Sequence, residues 1–186
     1  DGRFTVPRYD PEANDLSRAD FTVSERFGSA CLKHVIRPVQ QASGEEWPSK
    51  VFGCDMPTNM NVIGYGRISF TNPIRLNGDA ELSPERQVLT YCYYIMRQRY
   101  CSSKQVFAGY REWIATQINA VSHRVQMVDI GCGPATCGIT FGEFLVELSG
   151  KAGRFSDVVP NMVYTGVEVS DAMKQMGRAM LDDVFD

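Results

Sequence analysis

The stretch "VQMVDIGCGPATCGITFGEFL", residues 125 to 145, decides the fold. An apolar run ends at Asp129, a turn "GCGPAT" follows, and an apolar-periodic segment begins after it. Strand, glycine turn and helix in that order open a parallel β-α-β unit. The apolar density of "RVQMVDIG" predicts a strand buried on both faces, as parallel strands are. Residues 135 to 149 then predict a helix, with Cys137, Phe141, Phe144, Leu145 and Leu148 on one face and Gly150 ending it.

Downstream, "KAGRFSDVVPN" reads as a loop and "MVYTGVEV" as a second β-rich run. Ser170 then caps a helix carrying Met173, Met176 and Met180, a stripe that fits a core better than a cofactor box. The last third of the chain is therefore β-α-β-α, which implies a right-handed, doubly wound parallel unit. In such sheets ligands sit at the carboxyl ends of the strands.

Gly131 and Gly133 let the backbone turn tightly there and remove side chains where a ligand must lie against main chain. The following helix points its free N–H groups at the same place. Glu168 ends the second run, and a carboxylate there accepts two hydrogen bonds from a ribose diol, each worth about 1.5 to 3 kcal/mol when desolvated. Turn and acid together predict a nucleoside-containing cofactor. The dinucleotide fingerprint asks for Gly or Ala at the third small position, where this chain has Thr136. Asp129 adds an anion beside the turn. That disfavours a pyrophosphate and suits a cofactor carrying an amino group and a sulfonium.

"VDIGCGPAT" resembles the first motif of the class I S-adenosylmethionine-dependent methyltransferases, an apolar strand followed by Asp/Glu-x-Gly-x-Gly. "YTGVEVSDAMKQMGRAML" is similar to that family's second motif, a strand ending in an acid, then a Ser/Asp cap and a helix. The resemblance covers residues 83 to the end. It implies a Rossmann-like α/β fold and S-adenosyl-L-methionine as cofactor. Asp129, Gly131, Cys132 and Gly133 would surround its methionine end, Glu168 its ribose, and Val169 would pack beside its adenine. It further implies that the helices of 83 to 122 cover the cofactor, where Tyr91, Tyr93 or Tyr94 either touch it or simply pack. Gly133 and Glu168 lie further apart than the family's spacing of about 20, and the loop after Gly150 absorbs the excess.

Ahead of this half the chain is helical and loop-rich, which divides it into 1–82 and a cofactor-binding half, 83–186. Residues 1 to 23 read as a polar arm. "SERFGSACLKHVIRPVQQ" reads as a helix from Ser24 that Pro38 stops, with His34 at a core edge or on the surface. Residues 41 to 60 are punctuated by Gly, Pro and Asn. "NVIGYGRISF", 61 to 70, alternates as a strand would. "TNPIRLNGD" reads as a loop with two turns. At 83 a helix begins, with Ser83 as N-cap and Pro84 in its first turn, and "CSSK" at 101 restarts a second.

The net charge of -3 argues against bulk binding to nucleic acid. No apolar run is long enough to span a membrane, and the N-terminus has no signal-peptide core. It starts with Asp1 rather than Met, which predicts processing, tagging or trimming. Six cysteines at irregular spacing, with no CxxC, predict buried free thiols in a reducing, cytoplasmic compartment rather than a zinc site.

The family's sheet has further strands after these two, whereas this sequence has one helix beyond Glu168. Three expectations follow: the N-terminal part of a longer methyltransferase, a permuted fold completed by residues 1–82, or a non-catalytic subunit completed by a partner chain. "NPIR" at 72 to 75 invites comparison with the Asn/Asp-Pro-Pro-aromatic loop of amino-methylating enzymes. It lacks the second Pro and the ring, and reads as a plain turn. No catalytic residue stands out, since methyl transfer asks chiefly for alignment. The reading is a methyltransferase with an unidentified acceptor. The rivals are a scaffold and a nucleotide-dependent oxidoreductase.

Overall fold

A computed structural model describes residues 22–64, 69–75, 81–120, 125–148 and 162–186. The chain is mixed α/β, with one parallel strand pair among the described residues. The expected arm over 1 to 23 lies almost wholly outside them, as does the loop over 150 to 161.

Helix α1, Glu25–Cys31, starts where Ser24 Oγ accepts the Phe27 amide at 3.0 Å. Pro38 does not stop the helix. A π-turn, Leu32–Ile36, leads into α2, Arg37–Ser43. Proline lacks an N–H and crowds the carbonyl one turn back. The wider turn, in which the Arg37 amide bonds to Leu32 O, accommodates both defects.

A second π-turn, Cys92–Met96, joins α4, Pro84–Tyr91, to α5, Arg97–Gly109. The helix expected to restart at Cys101 thus runs through it unbroken. The real break is at Tyr110, before α6, Arg111–Ala120. There Tyr110 leaves helical geometry at φ -105° and ψ 16°, directly after Gly109, a weak helix former.

Among the described residues of 61 to 70 the expected strand is not formed. Residues 61 to 64 close helix α3, Met56–Gly64, residues 65 to 68 lie outside the described set, and Ser69 and Phe70 belong to a bend. Asp55 explains the difference: its carboxylate accepts the Thr58 amide at 2.9 Å, and Pro57 sits in the first turn. These start signals outweigh the alternation that follows. Two short antiparallel pairs flank the helix: β1, Lys50–Val51, with β2, Cys54–Asp55, and β3, Ile74–Arg75, with β4, Glu81–Leu82.

The carboxyl-terminal order is as expected: β5, Val125–Ile130, α7, Thr136–Leu148, β6, Met162–Val167, and α8, Asp171–Phe185. β5 and β6 pair in parallel, from Val125 opposite Met162 to Ile130 opposite Val167. β5 is not buried on both faces, however. Met127 and Asp129 face the helices, while Val128 is 65% and Ile130 83% exposed.

One core joins Phe27, Ala30 and Val35 to Val88, Met96, Ile139, Met173, Met180 and Val184, so residues from both sides of position 82 share it. A second cluster gathers Val39, Val51, Phe52, Val62 and Leu82. Its buried Asn59 is satisfied by Val51 O at 3.2 Å and Cys54 O at 3.1 Å.

Candidate functional site

The glycine turn leaves β5 with Gly131 at φ 72° and Gly133 at φ 52°, both left-handed. Ala135 at φ 58° completes the reversal, a conformation that strains a residue with a Cβ. The amides of Gly131 and Cys132 both donate to Val167 O, at 2.8 and 3.2 Å, which clips the turn to the end of β6. A Cβ on Gly131 would meet nothing within 4 Å, so the space outside the turn is open. Gly177 of α8 lets the turn settle on that helix: a Cβ there would lie 3.2 Å from the Pro134 carbonyl carbon.

Glu168 reaches this turn from the end of β6, 35 residues further along the chain. Its Oε2 accepts the Gly133 amide at 3.0 Å, and Oε1 accepts Val169 N at 2.8 Å and Ser170 N at 2.9 Å. Val169, beside it, is 84% exposed. Asp129 lies on the helix-facing side of β5, where its Oδ2 accepts the Tyr164 hydroxyl at 3.1 Å.

The Cys132 thiol feels both carboxylates. Burial raises its thiol pKa, Asp129 and Glu168 add to that, and a Tyr164 hydrogen bond opposes it. A thiol so held stays protonated at neutral pH and is a poor nucleophile. Cys137 is raised as well, by burial and by Asp129. The structure thus gathers Asp129, Gly131, Cys132, Gly133 and Glu168 at one point, with Val169 at its margin.

Sequence reasoning missed two residues around this point, Gln87 and Tyr164, and the second role of a third, Ser170. Ser170 caps α8 through Met173 N at 3.1 Å and also donates to Phe70 O at 2.6 Å. Gln87, fully buried, donates to Asn72 O at 2.7 Å and Leu82 O at 3.0 Å, and accepts the amides of Ser69 and Phe70. Together they fasten the Ser69–Asn72 turn beside the start of α8. The available signal was a glutamine next to Val88, an apolar residue of α4 that the core buries. The other missed residue is Tyr164, whose ring crosses Gly138.

Of the three candidate tyrosines, Tyr91 packs edge-on against Phe70 with ring centroids 5.6 Å apart. Tyr93 and Tyr94 pack on each other at 4.9 Å; both lie against the second cluster, and Tyr93 touches the first as well. His34 pairs with Asp183 at 2.7 Å, beside Lys33, on the outer side of α8; His123 lies outside the described residues.

All six cysteines are free, and among the described residues no cluster of three or more His, Cys, Asp or Glu could hold a metal. Nor is any described helix long and apolar enough to cross a membrane. A groove of about 330 Å³ lies between α7 and α8, lined by Gly138, Gly142, Met162, Tyr164, Leu181 and Phe185. It opens at the start of β6, the far end of that strand from Glu168.

The turn can offer backbone amides, two carboxylates and open space. Among the described residues no Lys or Arg pairs with Asp129 or Glu168, and hydrogen bonds from Tyr164 and from the Gly133, Val169 and Ser170 amides stabilise their charge. Comparison with protein-family models, curated proteins and solved structures returned no match.

Proposed function

We propose that this chain is a Rossmann-like, S-adenosyl-L-methionine-dependent methyltransferase acting on an unidentified acceptor. The observation that carries the reading is the meeting of the Gly133 amide with Glu168 Oε2 at 3.0 Å. Two ligand-facing signals that are remote in sequence coincide at the carboxyl ends of adjacent parallel strands, where sheets of this kind bind ligands.

The donor set fits the cofactor. Glu168 would accept from the ribose diol, Asp129 from the α-ammonium group, and the glycine turn leaves room for main-chain contact with the methionine end. Val169, exposed beside Glu168, would cover one side of the adenine. When bound, S-adenosylmethionine supplies a methyl group on a positively charged sulfur. The residues of this chain bind and orient it, and the two carboxylates favour a cation at the turn. The free thiols suit a reducing compartment, and cytoplasmic placement is part of the proposal.

Calorimetric titration with S-adenosylmethionine and S-adenosylhomocysteine tests this. We expect micromolar binding, lost in Asp129→Ala and Glu168→Ala. Tighter binding of a nicotinamide cofactor than of S-adenosylhomocysteine would replace the reading with an oxidoreductase.

The open sheet face favours a second reading, a non-catalytic scaffold or subunit completed by a partner chain. Val128, Ile130, Val167 and Val169 are 48% to 84% exposed, whereas parallel sheets are ordinarily covered on both faces. A folded sample that binds neither cofactor form supports this second reading.

A further inference from the structure

The phenol of Tyr164 has no part in the contacts assigned to the cofactor, yet its surroundings are shaped around it. A Cβ on Gly138 would lie 2.4 Å from its ring, so only glycine leaves the slot between α7 and β6 open. A Cβ on Gly166 would lie 2.8 Å from Cys132 Sγ and 3.2 Å from the Tyr164 hydroxyl oxygen. The two glycines thus leave free the space that the ring and its hydroxyl occupy.

Tyr164 is paired with Met127 across the sheet, and its hydroxyl reaches diagonally along β5 to Asp129 Oδ2 at 3.1 Å. Burial and the Asp129 carboxylate push the phenol pKa well above its ordinary range, so it stays a donor at any physiological pH. One carboxylate oxygen is committed to this bond, and the other remains to accept from a ligand.

We propose that Tyr164 is a positioning residue for the amino-acid end of the cofactor, fixing the Asp129 carboxylate for the α-ammonium group. The proposal rests on the S-adenosylmethionine reading above. A carboxylate held in one rotamer loses less freedom when it binds a cation. No Lys or Arg among the described residues performs this service for Asp129.

Two ligands separate this role from a general structural one. S-adenosylhomocysteine carries adenine, ribose, thioether and amino acid; 5′-methylthioadenosine lacks the amino-acid end. Calorimetry on the full chain compares both in wild type, Tyr164→Phe, Asp129→Asn and the double variant. Phenylalanine keeps the ring in its slot. We expect Tyr164→Phe to weaken S-adenosylhomocysteine about tenfold and to leave 5′-methylthioadenosine within about twofold. The same change in the Asp129→Asn background should add almost nothing, as coupled residues require.

Equal weakening of both ligands by Tyr164→Phe would overturn the proposal, since the phenol would then support the turn as a whole. Unchanged binding of both would overturn it too, as would full additivity in the double variant. In each case wild-type binding keeps the cofactor reading intact. Wild type that is folded and binds neither ligand removes the cofactor reading, and this inference with it.

Discussion

A methyl group added at position 138 would lie 2.4 Å from the Tyr164 ring, far inside contact distance. Alanine would gain about 1 kcal/mol of helix propensity there. It would also force apart α7 and β6, and overpacking of that kind costs about 1 to 3 kcal/mol. We expect Gly138→Ala to lower the urea midpoint, and to weaken cofactor binding by displacing the phenol from Asp129. The asymmetry with Gly131 is instructive. There the space is open and only the left-handed φ of 72° demands glycine. The places of Asp129, Gly131, Gly133 and Glu168 in the fold were legible in the sequence because each follows from local order: strand, turn, strand end. Tyr164, Gly138 and Gly166 were not. Their roles are matters of fit between elements, and fit between elements leaves no local pattern.

Helix starts were legible element by element. Ser24, Ser83 and Ser170 each accept an amide three residues on, as their sequence context suggested. Helix stops were less so. Pro38 and the stretch near Cys101 both sit beside or beyond π-turns, and a π-turn is a cooperative rearrangement of a whole turn rather than a preference of one residue. The strand expected over 61 to 70 failed for a related reason: the cap at Asp55 fixed the chain as helix before the alternation could act. The Ser170 cap does more than start α8, since the same hydroxyl holds Phe70 O. Ser83→Ala is expected to cost about 1 kcal/mol, a lost cap alone. Ser170→Ala should cost about twice that, because it also leaves a carbonyl without its partner. Hydrogen exchange distinguishes the two: the amides of Ser69 to Asn72 should exchange faster only in the Ser170 variant.

For the whole molecule, the most consequential surface is the outer face of β5 and β6. Ile130 is 83% exposed there, beside Val167. Replacing an exposed apolar side chain changes stability by no more than about 0.5 kcal/mol. Ile130→Thr should therefore leave the denaturation midpoint nearly unchanged. Its effect should appear in sedimentation, as reduced concentration-dependent association of the isolated chain. The apolar run of β5 signalled a parallel strand correctly, but composition alone does not say which face is covered.

Helices α1 and α8 meet although they stand near opposite ends of the described chain: Arg26 donates to Val184 O across 158 residues, and Lys33 and His34 close on Asp183. During synthesis the chain emerges from its beginning. Phe27, Ala30 and Val35 are made early; Val88, Met96 and Tyr100 can reach them first, and Met180 and Val184 follow only later. Helix α8 thus completes a core that the earlier helices begin, and a nascent chain halted before Asp171 would hold α1 against α4 and α5 with one side of that core still open to water.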